Sequence, residues 1–385
     1  MSTVKATNFQ NASSATANMV TDASGNVSFG GDATITGSLV PSSSFLRNRI
    51  INGDMRVYQR NAVATINGQY SVDRWRYAIN STGTAQTTQS QVSPAGFTES
   101  ILFDVVTADT SIGASELAAL FQCIEGYNIS DLYWGAVGAK SVTLSFWVYS
   151  TTTGTFCVSF RNGSYTLSYI AEYTINAINT WEYKTITVPG PTTGTWDTTN
   201  GEGLSVIFTF AIGTTYQTTA NAWTIGNFLG TSSQVNLLAS ATNSIRLTGV
   251  QLEEGTVATP FERQLYSNQL AQCQRYYYRI GPVASQAVFG PAVADTTTAG
   301  RCTGSFPVTM RTSPSALEQT GTAGNYVIRT GGTSRTCSAV PSFDSATENT
   351  WQINTTVASG QTAGQGGFLR ADAIITAYLG WSAEL

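Results

Sequence analysis

The stretch Ser141-Val-Thr-Leu-Ser-Phe-Trp-Val-Tyr149 alternates apolar and small polar or aromatic residues without a break. An extended chain points successive side chains to opposite faces. Val142, Leu144, Phe146 and Val148 therefore share one face, and Thr143, Ser145, Trp147 and Tyr149 share the other. The pattern returns at 155–161 with Phe156, Val158 and Phe160, and at 204–210 with Leu204, Val206, Phe208 and Phe210. Further strands are predicted near 99–107, 166–173, 182–188 and 244–252. Short strands at this spacing, punctuated by Gly, Asn, Thr and Pro, point to an antiparallel β-sandwich. Residues 281–385 are again Gly-, Thr- and Ala-rich, with their clearest strands at 305–310 and 373–379. They read as a small second sandwich.

Two segments carry a helical period instead. In 115–126, Leu117, Leu120, Phe121 and Ile124 form an i, i+3, i+4, i+7 stripe between Ser115 as N-cap and Gly126 as stop. This predicts a short helix lidding one end of the sandwich. In 267–278, Leu270, Cys273 and Tyr277 share a face behind Ser267, which predicts a helical connector. Residues 1–45 are polar, apart from a partly alternating run from Asn26 to Val40, and cannot bury a core alone. They read as a segment that folds against a partner or against copies of itself.

Composition narrows the function classes. Charged residues make up 11% of the 385-residue chain, under half of the usual quarter or so. Uncharged polar surface is best tolerated where much of it is buried between subunits, so an oligomer is expected. The net charge is −4 and no basic run occurs, which argues against nucleic acid as a partner. No apolar stretch is long enough to span a membrane. The first residues lack the apolar core of a signal peptide, so the protein is expected to be made in a cytoplasm.

The chain contains no histidine, which removes the commonest general base and metal ligand, together with any Ser-His-Asp or Cys-His arrangement. Cys123, Cys157, Cys273, Cys302 and Cys337 are not at metal-ligand spacing and read as free, buried thiols. A glycosidase needs two carboxylates facing each other across a sugar. Adjacent Glu253 and Glu254 on a strand point to opposite faces and cannot form that pair. Asp54 with Asp73, and Asp104 with Asp109, lack the spacing of a calcium loop. No metal or cofactor is implied, and the chain is expected to act by presenting surface and not as an enzyme.

Exposed aromatic rings can stack on the C–H faces of sugars while amides and carboxylates read the hydroxyls. The candidates are Trp147 and Tyr149, on the face opposite the Val142–Leu144–Phe146 row, Trp181, and Trp134, Trp196 and Trp223 in predicted loops or strand edges. The competing expectation for each is burial in the core or a subunit interface. Tyr276, Tyr277 and Tyr278 read as connector packing.

Three stretches carry a resemblance. They are Asn48-Arg-Ile-Ile-Asn-Gly-Asp-Met-Arg-Val-Tyr-Gln-Arg60 with Val72-Asp-Arg-Trp75, Ser145-Phe-Trp-Val-Tyr149 with Trp181-Glu-Tyr183, and Thr248-Gly-Val-Gln-Leu-Glu-Glu-Gly255 with Thr259-Pro-Phe-Glu-Arg263 and Cys273-Gln-Arg-Tyr-Tyr277. Together they resemble tail-fibre and other virion fibre proteins of tailed bacteriophages. Residues 46–264 are also similar to jelly-roll carbohydrate-binding modules, which often show a Ser-Phe-Trp strand and close on Val-Gln-Leu-Glu-x-Gly, here Val250 to Gly255.

The resemblance implies an all-β homotrimer with four parts. Residues 1–45 would dock onto other virion proteins such as a tail or portal adaptor. Residues 46–264 would form the jelly-roll sandwich, 265–280 the helical connector, and 281–385 a distal, receptor-facing β domain. It implies a virion protein made in the host cytoplasm and released by lysis, whose partner is a host cell-surface glycan or receptor. Two alternatives stand beside this reading. One is a structural virion component without receptor binding, such as a head fibre, neck appendage or decoration protein. The other is a depolymerase of surface polysaccharide.

Overall fold

The structure is a computed structural model that describes residues 8–9, 19–21, 27–29, 47–60, 62–281, 286–372 and 374–385. The chain divides into two units, Met1–Phe45 and Leu46–Leu385. In the first, β1 (Asn8–Phe9), β2 (Met19–Thr21) and β3 (Val27–Phe29) form a small antiparallel sheet in chain order. Most of the alternating run expected between Asn26 and Val40 lies outside the described residues.

The second unit begins with a two-sheet sandwich. Its strands are β4 (Tyr70–Val72), β5 (Trp75–Asn80), β6 (Thr84–Ser90), β7 (Ser100–Thr107), β8 (Leu117–Glu125) and β9 (Val142–Ser150), followed by β10 (Gly154–Asn162), β11 (Leu167–Ile175), β12 (Glu182–Val188), β13 (Glu202–Ile212), β14 (Trp223–Ile225) and β15 (Ser244–Glu254). One sheet runs β14-β11-β10-β13-β8-β5-β4 and the other β12-β9-β15-β7-β6. The chain crosses repeatedly between them, which is the jelly-roll way of closing two antiparallel sheets on one core. Val142, Leu144, Phe146 and Val148 are fully buried in that core, as alternation predicts, and face Phe156, Phe160, Phe208 and Phe210 from the opposite sheet.

The helix expected over 115–126 is a strand. Leu117–Glu125 is β8, held between β13 and β5, and all but its first residue are buried. One face, with Leu120 and Ile124, joins the main core. The other, with Ala119, Phe121 and Cys123, joins a smaller cluster on the outside of the sheet. A strand buried on both faces is a continuous apolar run, and such a run also satisfies a helical period. Gly126 does end the element, as the start of a 3-10 turn.

The connector is helical over α1 (Tyr266–Gln274), preceded by Leu265 and not capped by Ser267. Tyr277, expected at the end of the helix, instead begins β16 (Tyr277–Ile280). This strand pairs with β24 (Leu379–Ser382), which also pairs with β19 (Glu318–Gln319).

The small sandwich expected at the C-terminus is a closed barrel. Its members are β17 (Val288–Ala294), β18 (Ala299–Ser305), β20 (Tyr326–Thr330), β21 (Thr333–Ala346), β22 (Thr350–Val357) and β23 (Gly366–Ala371), in the order β17-β18-β22-β21-β20-β23. Register shifts along β21, between Cys337 and Ser345, bend this long strand so that the sheet can close. Gly367 permits a close approach, since a Cβ there would lie 1.7 Å from the Arg329 carbonyl oxygen. Two strands expected here are loops. β18 stops at Ser305 because Pro307 has no N–H for a ladder, although Phe306 and Met310 are buried. Of the strand expected over 373–379, residue 373 lies outside the described residues, 374–378 are not paired, and β16 holds only Leu379–Ser382.

Ion pairs with buried carboxylates join the sandwich to the connector and to the tail that follows β24. Glu384 sits between Arg60, at 3.4 Å, and Arg74, which also donates to the Cys123 carbonyl. Glu125 accepts two hydrogen bonds from Arg275 and one from the Tyr276 hydroxyl at 2.6 Å. Gln269 of α1 donates to Asp54 at 2.7 Å. Much of the first and third resembling stretches is thus spent on joining elements.

Candidate functional site

The outer face of the five-stranded sheet carries aromatic rings in register. Tyr183 on β12 lies opposite Trp147 on β9, and Trp147 lies opposite Thr248 on β15. Tyr149 lies opposite Arg246, which lies opposite Leu102 on β7. Trp147 and Tyr183 are 5.3 Å apart between ring centroids, and Tyr149 and Trp181 are 5.4 Å apart. The Arg246 guanidinium stands over Tyr149 at 5.3 Å. Tyr183 is exposed, and Trp147, Tyr149 and Trp181 are half-buried, so each ring presents part of its surface to solvent. The start of β12 is pinned by Glu182, which accepts hydrogen bonds from Lys184, Ala177 and Asn176. Burial pushes this carboxyl up, but the Lys184 ammonium and the two backbone N–H groups outweigh it and bring it down to about 2.

A break in β15 turns these rings into one wall of a cleft. Thr248 and Gln251 pair with Trp147 and Ser145, so Gly249 and Val250 together stand opposite Phe146, a bulge with one extra residue. Gly249 has φ +61°, and a Cβ there would lie 2.6 Å from Phe97 and 3.1 Å from Trp147. Only glycine lets the two rings close over the bulge. From behind, the bulge is held by the Val250 N–H, which donates to the Gly53 carbonyl at 2.9 Å, and by Asn48, which donates to the Val250 carbonyl. Phe97 packs edge-on against Phe261 at 5.2 Å, and the Arg263 guanidinium covers Phe97 at 4.7 Å. The cleft is shallow and open, with a volume of roughly 600 Å³, and is lined by Trp147, Tyr183, Phe97, Phe261, Ser145 and Arg263, among others. Its size suits a small ligand.

The candidate aromatics divide into two groups. Trp147, Tyr149 and Trp181 share this outer face. Trp134, Trp196 and Trp223 instead pack edge-to-face on one another at 4.8 to 5.6 Å, at an end of the main core. Trp134 and Trp196 are buried, and all three indole N–H groups donate to backbone carbonyls, of Lys140, Thr193 and Pro189. Sequence reasoning passed over Phe97, Phe261, Arg263 and Gly249. The glycine inside the Thr248-Gly-Val-Gln strand was the available signal, since an interior strand glycine marks a bulge or a close approach.

The acidic candidates are occupied separately. Glu253 is buried and accepts from Thr259 and Gln251, while Glu254 is exposed and pairs with Lys140. Asp54 binds Arg56 and Gln269, and Asp73 accepts two hydrogen bonds from Gln59. Asp104 accepts from Gln86, and Asp109 from Ser81 and Thr82. Among the described residues no cluster of three or more Cys, Asp or Glu is placed to hold a metal ion. All five cysteines are free and buried, and burial pushes their thiols up, Cys157 to about 11 and Cys123 to about 12. Cys302 and Cys337 form no disulfide.

These features define an all-β chain in which a jelly-roll sandwich presents an aromatic cleft and carries a small closed barrel. No protein-family model matches the chain. No curated protein matches it in sequence. Among solved structures it is similar to the enzymatically active domain of bacteriophage CBA120 tailspike protein 4. That match has 15% identity and a TM-score of 0.31, and covers 54% of this chain but 22% of the other. It is also similar to TmCBM61, solved in complex with β-1,4-galactotriose, with 10% identity and a TM-score of 0.28, covering 54% of this chain and 99% of the other. A putative sugar binding protein from Bacteroides thetaiotaomicron is similar at 12% identity and a TM-score of 0.29, covering 54% and 100%.

Proposed function

We propose that the chain is a phage virion fibre protein that attaches the particle to a host-surface glycan through the outer face of its five-stranded sheet. The observation that carries this reading is the cleft itself. Rings from four separated parts of the sequence, Phe97, Trp147, Tyr183 and Phe261, converge on a solvent-open site around a bulge that only glycine permits. A fold that needed these rings only for stability would turn them inward, as it does with Trp134 and Trp196. In this reading the fibre is a homotrimer, residues 1–45 join it to other virion proteins, and the barrel stands toward the host. In this reading the site binds and does not cut, and the lining of the cleft holds no carboxylate.

The test is an array of bacterial and plant polysaccharides probed with the full chain and with Trp147→Ala. The full chain is expected to bind at least one polysaccharide, and the variant to bind it about tenfold more weakly, a loss of roughly 1.4 kcal/mol. Thermal unfolding checks that the variant is folded. No binding on the array, together with no competition with virions for host cells, would favour a purely structural virion component. Release of reducing ends from a bound polysaccharide would favour the depolymerase.

A further inference from the structure

We infer that the glycan taken by this cleft is acidic, and that Arg263 reads its carboxylate; the inference rests on the binding face proposed above. Arg263 is the one charged residue among those lining the cleft. It has no ion-pair partner among the described residues. Its placement is fixed on two sides. The guanidinium stacks over Phe97 at 4.7 Å and stands 5.8 Å from the Phe261 centroid, while Nη2 donates to the Gly96 carbonyl. Nε and Nη1 make no hydrogen bond within the described chain, and the residue is exposed.

A guanidinium held over a ring and tied to a backbone carbonyl loses less freedom when it binds than a free one, and its remaining donors match a planar carboxylate. A neutral sugar would leave that charge without a partner at the edge of an apolar cleft. A uronic or sialic acid residue would place its ring on the Trp147–Tyr183 wall and its carboxylate toward Arg263, on one continuous surface. Arg246, another cation of this face, lies over Tyr149.

The experiment is titration calorimetry of the full chain against polygalacturonate, alginate, hyaluronate and polysialic acid, each beside its carboxyl-reduced form. Reduction keeps the linkage and removes the charge. At least one acidic polymer is expected to bind about tenfold more tightly than its reduced form at low salt, with the difference shrinking as salt rises. Arg263→Gln is expected to abolish that difference, bringing the acidic form down to the affinity of its reduced form in the same variant, and Arg263→Lys to keep part of it. Equal affinity for acidic and reduced polymers, or an unchanged preference in Arg263→Gln, overturns the inference. If neutral polymers bind and depend on Trp147 while no acidic preference exists, the binding face stands and the inference falls. If nothing binds in either series, both fall.

Discussion

At the scale of single residues, the site depends on Gly249. An alanine there combines a left-handed backbone with a Cβ pressed against Phe97 and Trp147. Gly249→Ala is expected to cost about 1–3 kcal/mol in urea unfolding and to weaken glycan binding. Gly138 is a control, because it has φ +93° but nothing within 4 Å of its Cβ position. Gly138→Ala is expected to show the backbone cost alone and no binding defect. Asp73 gives a pH signature. Burial pushes its carboxyl up, the Arg60 guanidinium and Gln59 offset this in part, and it stands at about 6. Between its unfolded value near 4 and pH 6 the folded chain holds a proton that the unfolded chain releases. Stability contributed by Asp73 is therefore present below pH 4 and lost as pH rises through 6. Unfolding free energies at pH 4.5, 5.5 and 7 are expected to fall in that order, and the slope to flatten in Asp73→Asn. Glu182 acts in the opposite sense and only below about pH 4.5, where its hydrogen bonds are lost on protonation.

At the scale of elements, strands with one face in the core were legible from alternation alone, as 142–150 and 182–188 show. β8 was not, because burial on both faces erases the period that separates strand from helix. Closure of the barrel was hidden for a related reason. It depends on irregular pairing along β21, which leaves no periodic trace. The binding face was half legible. Trp147, Tyr149 and Trp181 could be placed by parity, but Phe97, Phe261 and Arg263 come from loops whose meeting point is set by the bulge. Trp134, Trp196 and Trp223 looked equivalent to the others in sequence. Their three-way packing at an end of the core is a property of the fold.

At the scale of the second unit, the sandwich and the C-terminal tail after β24 are joined by charges that would be costly to separate. Arg74 and Glu384 are both nearly excluded from solvent, and Arg60 shares the same carboxylate. Burial pulls the Arg74 guanidinium down, yet the adjacent Glu384 carboxylate outweighs this and holds it above its ordinary value. Glu384→Ala leaves two guanidinium groups without their counter-ion and is expected to cost about 3–5 kcal/mol. Limited proteolysis is expected to cut this variant between sandwich and barrel while the parent chain resists.

The central claim is that a glycan sits on the outer face of the five-stranded sheet, and a crystal structure with the tightest-binding polysaccharide fragment from the array tests it most directly. The account predicts a sugar ring against Trp147 and Tyr183, with its acidic group within hydrogen-bond distance of Arg263. A sugar bound instead on the barrel, or on the opposite sheet with the Trp147 cleft empty, would contradict it.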